Sequence, residues 1–162
     1  MAASSVHKGW WRDIANSRLA AVYNGTTVFH ITASAFTSIF GLLSSSATAG
    51  IGYSTGAGGA VTQLTNRSTG VTINTPTGAI TTDATSLAAA AEATFTVTNS
   101  SVAITDTIVL SARSGQTAAT SVPIVTAVAA GSFDITLTNL HATTADTGAM
   151  IINFAVIKGV AA

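Results

Sequence analysis

The chain has 162 residues, enough for one domain with a real core, or a domain and an appendage, without disulfides or a metal to hold it. Only 7% of residues are charged, where about 25% is usual, and the formal net charge is zero; 48% are hydrophobic and mean hydropathy is +0.53. This excludes a disordered chain, which needs high net charge and low hydrophobicity, and the balanced, scattered charges leave no footprint for nucleic acid.

So little charge leaves two ways to stay soluble: a surface of Thr and Ser hydroxyls, or a surface largely covered by partner subunits. The second is favoured, because near-zero net charge promotes association. The absence of cysteine excludes a disulfide framework and thiolate metal sites, and fits assembly in a cytoplasm. The N-terminal stretch carries Lys8, Arg12 and Asp13 and has no apolar core of the kind a signal peptide needs. The run Phe36 to Leu43 is far short of the about 20 apolar residues of a membrane span, so no membrane partner is expected.

Residues 1–49 read as an N-terminal arm. Adjacent Trp10 and Trp11, followed by Arg12 and Arg18, either pack back on the same subunit or anchor the chain to a partner. The anchor is favoured because Trp and Arg dominate interface hot spots. Leu19–Tyr23 and Thr26–Thr32 flank Asn24-Gly25, the dipeptide that best supplies the positive φ angles of a type I′ turn, so a β-hairpin is expected. Tyr23 and Phe29 on its arms join the candidate anchor, and His30 reads as a packed or interface residue. Ala35, Phe36, Ile39, Phe40, Leu42 and Leu43 sit at spacings a short helix could use.

Residues 50–162 read as strands. The glycine-rich run Gly50–Gly59 lacks the Lys and Ser/Thr of a phosphate-binding loop, and the segment after it is β-like rather than helical. Short strands are expected near residues 60–65, 70–74 and 78–82. Leu87–Ala91 is too short and uncapped for a helix and reads as a loop. Glu92–Thr98 alternates Ala93, Phe95 and Val97 against Thr94, Thr96 and Thr98. Thr107–Ser111 is apolar on both faces, and Pro123 makes Val122–Val128 an edge strand or one that begins near the proline. Phe133, Ile135 and Leu137 share a face. The last strand, Ala149–Lys158, is apolar on both sides, which sets it mid-sandwich or against another subunit. Its Met150, Ile152, Phe154 and Val156 are taken as the subunit interface. The spacing of strands and turns predicts an all-β fold, an antiparallel, jelly-roll-like β-sandwich behind an N-terminal hairpin arm.

Catalysis needs titratable groups that converge. Asp83, Asp106 and Asp146 sit among Thr and Ala in turn-like contexts where Asp caps or forms Asx turns, and Asp134 alternates outward among threonines. No metal-ligand spacing and no nucleophile elbow occurs. No catalytic residue, no metal and no cofactor is therefore assigned.

Gly50-Ile51-Gly52-Tyr53-Ser54-Thr55-Gly56-Ala57-Gly58-Gly59-Ala60-Val61-Thr62-Gln63 and Ile151-Ile152-Asn153-Phe154-Ala155-Val156-Ile157-Lys158-Gly159, with Phe95–Asn99 and Ala129–Phe133 between them, resemble a module of tailed-bacteriophage virion proteins. The likeness covers about two-thirds of the chain, from Gly50 on. It implies a trimeric capsid decoration (cement) or head-fibre protein on the major capsid protein, or alternatively a receptor-binding tail-fibre or tail-spike tip. Either places the chain in the virion. The segment Leu19 to Thr32 resembles the attachment segments that precede such modules.

Overall fold

A computed structural model describes residues 9–13, 18–23, 26–31, 36–38, 47–48, 50–117 and 121–161. Among them the chain is all β, with no helix. It divides into two compact units, Met1–Gly52 and Tyr53–Ala162, just past the expected boundary at Gly50.

In the first unit β1 (Gly9–Asp13), β2 (Arg18–Tyr23), β3 (Thr26–Ile31) and β4 (Phe36–Ser38) pair antiparallel in chain order. Tyr23 stands opposite Thr26; the Asn24-Gly25 pair between them lies outside the described residues. The helical spacing from Ala35 is overridden at Phe36–Ser38, which is extended along β3. Thr37 and Ser38 are weak helix formers, and the open edge of β3 offers them ladder hydrogen bonds. Ala35, Ile39, Phe40, Leu42 and Leu43 lie outside the described residues.

The second unit contains β5 (Gly58–Thr62), β6 (Val71–Thr72), β7 (Thr77–Thr81), β8 (Glu92–Thr98), β9 (Thr107–Ser114), β10 (Ser121–Ala129), β11 (Ser132–Asn139) and β12 (Ile151–Ile157). They form two four-stranded sheets, ordered β5-β7-β12-β9 and β10-β11-β8-β6. The expected antiparallel pairing needs correction, because β5 pairs parallel to β7 and β6 parallel to β8. The cause is topological. From β5 to β8 the chain changes sheet at every strand, so neighbours in a sheet are second neighbours in sequence and run the same way. Both sheets are therefore mixed.

One apolar core lies under both sheets. Phe95, Val97, Phe133, Ile135 and Leu137 come from β8 and β11, and Ile80, Ile108, Ile152, Phe154 and Val156 from β7, β9 and β12. The Phe133 and Phe154 rings meet across it with centroids 5.7 Å apart, tilted by 50°. The alternation read in Glu92–Thr98 holds residue by residue, with Phe95 and Val97 buried and the three threonines exposed. Pro123 lies on β10, at the edge of its sheet, where its missing N–H leaves no gap in the ladder. β9 is apolar on both faces, but only Ile108 is buried; Val109, on the other side, is 47% exposed.

Leu87–Ala91 forms a loop. Leu87 bridges Asp146 through two backbone hydrogen bonds of 2.8 and 2.9 Å. Ala90 takes φ +56°, a left-handed conformation that stops any helix. Ala90→Gly is expected to stabilise the protein by about 0.5–1 kcal/mol, the relief of the Cβ clash exceeding the entropy of the added glycine. A urea midpoint unchanged or lowered would contradict this.

Candidate interaction faces and buried polar hub

The candidate anchor residues lie on the first sheet. Trp10, Trp11 and Arg12 are on β1, Arg18 and Tyr23 on β2, and Phe29 on β3. The register sets Trp10 against Ala21, and Ala21 against Phe29 on its other side. Arg18 pairs with Asp13 across the β1–β2 ladder. The antiparallel order thus draws residues far apart in sequence into neighbouring ladder positions.

The proposed subunit-interface residues need correction. Met150, Ile152, Phe154 and Val156 are all within 2% of complete burial inside the chain's own core. They are spent on the fold and cannot meet a second subunit. The other side of the same strand remains, since side chains alternate across a sheet.

The two outward faces of this unit differ in chemistry. On β10-β11-β8-β6 the face is a hydroxyl lattice along β8 and β11, with Ile124, 49% exposed, opposite Thr136 on the β10 edge. Thr94 and Thr136 Oγ1 atoms are 2.8 Å apart, Thr126 and Thr136 3.1 Å, Thr96 donates to Asp134 at 2.8 Å, and Thr138 donates to Glu92 at 3.1 Å. Such cross-strand threonine pairs suit a solvated sheet and need no partner. On β5-β7-β12-β9 the outward positions are Gly58, Ala60 and Thr62; Thr77, Ala79 and Thr81; Ile151, Asn153, Ala155 and Ile157; Thr107, Val109 and Ser111. None of these is charged; Arg113 lies at the far end of β9. Val109 stands opposite Ala155, and Ile157, 56% exposed, opposite Thr107, so their apolar side chains adjoin.

At the rim of this face Lys158 Nζ donates to Asp106 Oδ2 at 2.5 Å and to the Ser101 carbonyl at 2.9 Å. The amides of Ala103 and Gly159 also donate to Asp106, at 2.8 and 3.1 Å. The carboxylate thereby closes its own turn and pins the end of β12.

A buried polar hub centres on Asp146. The amides of Thr117 and Gly148 each donate to its Oδ1 at 3.0 Å. Arg67 Nη2 lies 3.7 Å from the same oxygen and donates to the carbonyls of Gly148 and Asp146 at 2.7 and 3.1 Å, while Nε donates to Thr85 O at 2.5 Å. Backbones come so close here that a Cβ on Gly148 would lie 1.8 Å from the Gly115 carbonyl oxygen. Beside the hub, Gln63 Nε2 donates to the carbonyls of Arg67 and Thr69 and its Oε1 accepts from the Asp83 amide. Asn139 Nδ2 donates to the carbonyls of Leu87, Ala88 and Thr144, and Asn99 fastens Thr75 and Ser101. Burial of these amides is offset by complete pairing.

Burial disfavours the charged form of Asp146, but the Ser121 hydroxyl, the Thr117 and Gly148 amides and the Arg67 guanidinium outweigh it and hold the carboxyl below its ordinary value. Asp106 is lowered too, chiefly by its hydrogen bond from Lys158 and then by the Ala103 amide. Asp83 is lowered by the hydroxyl and amide of Thr85. All three carboxylates have lowered folded-state values, so over that interval the unfolded chain binds more protons. Their stabilisation is complete above the ordinary value of 3.8 and is lost as pH falls through the lowered ones. Urea midpoints between pH 5 and 7 are therefore expected to owe no slope to these carboxylates, with a fall that begins near pH 4. The Asp146→Asn variant is expected to show a shallower acid fall; an unchanged one would contradict the assignment.

Asp83, Asp106, Asp134 and Asp146 thus each serve a separate local structure. His141 Nδ1 accepts from the amides of Thr143 and Thr144 at 3.2 and 2.9 Å. Among the described residues no group of three or more His, Cys, Asp or Glu side chains is placed to hold a metal ion. The sequence signal for Asp83, Asp106 and Asp146 as turn-closing residues was their Thr/Ala setting. Arg67, Gln63, Asn99 and Asn139 carried none, because each sits in a polar stretch that reads as exposed.

No family model, no curated protein and no solved structure matches the chain.

Proposed function

We propose that the chain is a non-enzymatic structural subunit of a bacteriophage virion, a capsid decoration (cement) or head-fibre protein that assembles as a homotrimer. Residues 1–49, with Trp10, Trp11, Arg12, Arg18, Tyr23 and Phe29, form the arm that holds the major capsid protein. Residues 50–162 form a jelly-roll-like β-sandwich through which copies meet.

The observation that carries this reading is the outward patch of β5-β7-β12-β9 around Val109, Ala155 and Ile157, which is apolar and free of charge short of Arg113 at the far end of β9. Copies gathered about a symmetry axis through that patch set no like charges against one another there. The opposite sheet, with Glu92 and Asp134 on its outward side, lacks this property. The interface assigned to this strand therefore moves from Ile152 and Phe154 to Val109, Ala155 and Ile157. A lattice of identical sites then raises the affinity of a trimer over that of one arm.

A tail-fibre tip would call for aromatic side chains exposed for sugar stacking. Among the described residues from Gly50 on, the exposed large hydrophobics are aliphatic apart from Tyr53, whose hydroxyl donates to the Val156 carbonyl. That favours the shell over the tail.

Cosedimentation with capsids lacking the protein tests the reading, with the full-length chain beside one that starts at Gly50. Binding by the full-length chain alone is expected. Failure of both to bind shells would overturn the capsid assignment and favour a tail receptor-binding role.

A further inference from the structure

Three buried polar atoms at the Asp146 hub have no protein hydrogen-bond partner: Arg67 Nη1, Asp146 Oδ2 and Ser121 Oγ. Their residues are 3%, 0% and 0% exposed, so bulk solvent does not serve them, and orphaned groups at such depth are rare in folded proteins. The residues already meet. Arg67 Nη2 stands 3.7 Å from Asp146 Oδ1, beyond direct hydrogen-bonding reach, and the Ser121 hydroxyl is near enough to the same carboxylate to favour its charged form yet makes no direct hydrogen bond to it.

The hydrogen-bonding inventory identifies what fits. A guanidinium nitrogen only donates, an ionised carboxylate oxygen only accepts, and a hydroxyl does either. An added cation would face the Arg67 guanidinium, and an anion would face the Asp146 carboxylate. A neutral molecule that both donates and accepts satisfies all three atoms, and a polar gap wider than a direct bond is where such a molecule sits.

We infer that Arg67 Nη1, Asp146 Oδ2 and Ser121 Oγ enclose one structural water molecule. Three protein partners is the usual number for an internal water. It joins the turn after β5, the first residue of β10 and the loop before β12, three segments that share no backbone ladder with one another at these positions. Arg67 is already held by the carbonyls of Thr85, Asp146 and Gly148, so the water completes the hub rather than positioning its cation. This site is independent of the virion reading.

Two measurements on the full-length protein test it. A high-resolution crystal structure is expected to show an ordered water within hydrogen-bond distance of all three atoms. A direct Arg67–Asp146 bond with Ser121 donating to the carboxylate and no water peak, or a peak that scatters as an ion, would overturn it. In solution, magnetisation transfer from a slowly exchanging water to the Thr117 and Gly148 amides, which bond to Asp146 Oδ1, is expected in the native chain and lost in Ser121→Val. Absence of transfer in the native chain, or its persistence unchanged in the variant, would overturn the site.

Discussion

Replacing Arg67 with methionine is expected to destabilise the unit Tyr53–Ala162 by about 3–5 kcal/mol, the usual cost of removing one partner of a buried ion pair. The stem of Arg67 is the smaller part of its role. Its guanidinium donates to three backbone carbonyls and balances Asp146, which is fully buried. Methionine fills much of the same space but leaves a carboxylate uncompensated and three carbonyls short of a donor. For a unit of this size the thermal midpoint should fall on the order of 15 °C. Asp146→Asn keeps the Oδ1 acceptor for Thr117 and Gly148 while removing the charge. The double variant Arg67→Met/Asp146→Asn is therefore expected to lose at least about 1 kcal/mol less than the sum of the single losses. Urea denaturation measures both. A single-variant loss below about 1 kcal/mol, the range of exposed pairs, would show that the pair is not buried as described.

A lysine at Val109 is expected to disperse the proposed trimer while leaving each chain folded. Val109 is 47% exposed on the outward side of β9, so the monomer gains a solvated charge and loses little core. In the proposed assembly the same ammonium is desolvated without a partner and repeated by symmetry, which costs several kcal/mol. A loss of about 3 kcal/mol weakens association more than hundredfold. Thr96→Lys is the matched control. Thr96 is exposed on the opposite sheet and bonded to Asp134, so a lysine there gains a carboxylate and changes no interface. Sedimentation velocity reads the assembly and thermal melting the fold. Dispersal by Thr96→Lys but not by Val109→Lys would assign the contact to the wrong sheet.

Much of the all-β character was legible because alternation is a local property. In β8 the order Ala-Thr-Phe-Thr-Val-Thr encodes one buried and one hydroxyl face, and in β11 Phe133, Ile135 and Leu137 do the same. Pro123 marked an edge through a missing donor, again a local cause. The parallel pairs were not legible, since they depend on which sheet each of β5 to β8 joins, a choice made only by tertiary packing. β12 shows the limit most sharply. With both sides apolar, sequence alone does not say which side the chain keeps for its own core. The side bearing the Phe154 ring packs on Phe133 of the other sheet, and the side with Asn153 is left outward. Arg67 was hidden for a related reason: a lone arginine between Asn66 and Ser68 reads as a solvated turn, and its partner lies 79 residues away.

The central proposal is that the chain is a building block whose copies meet through the outward patch around Val109, Ala155 and Ile157. Sedimentation equilibrium of the purified full-length chain at neutral pH tests that most directly. A single species of three chains, persisting across dilution, is the predicted result. A monomer at every concentration would contradict it.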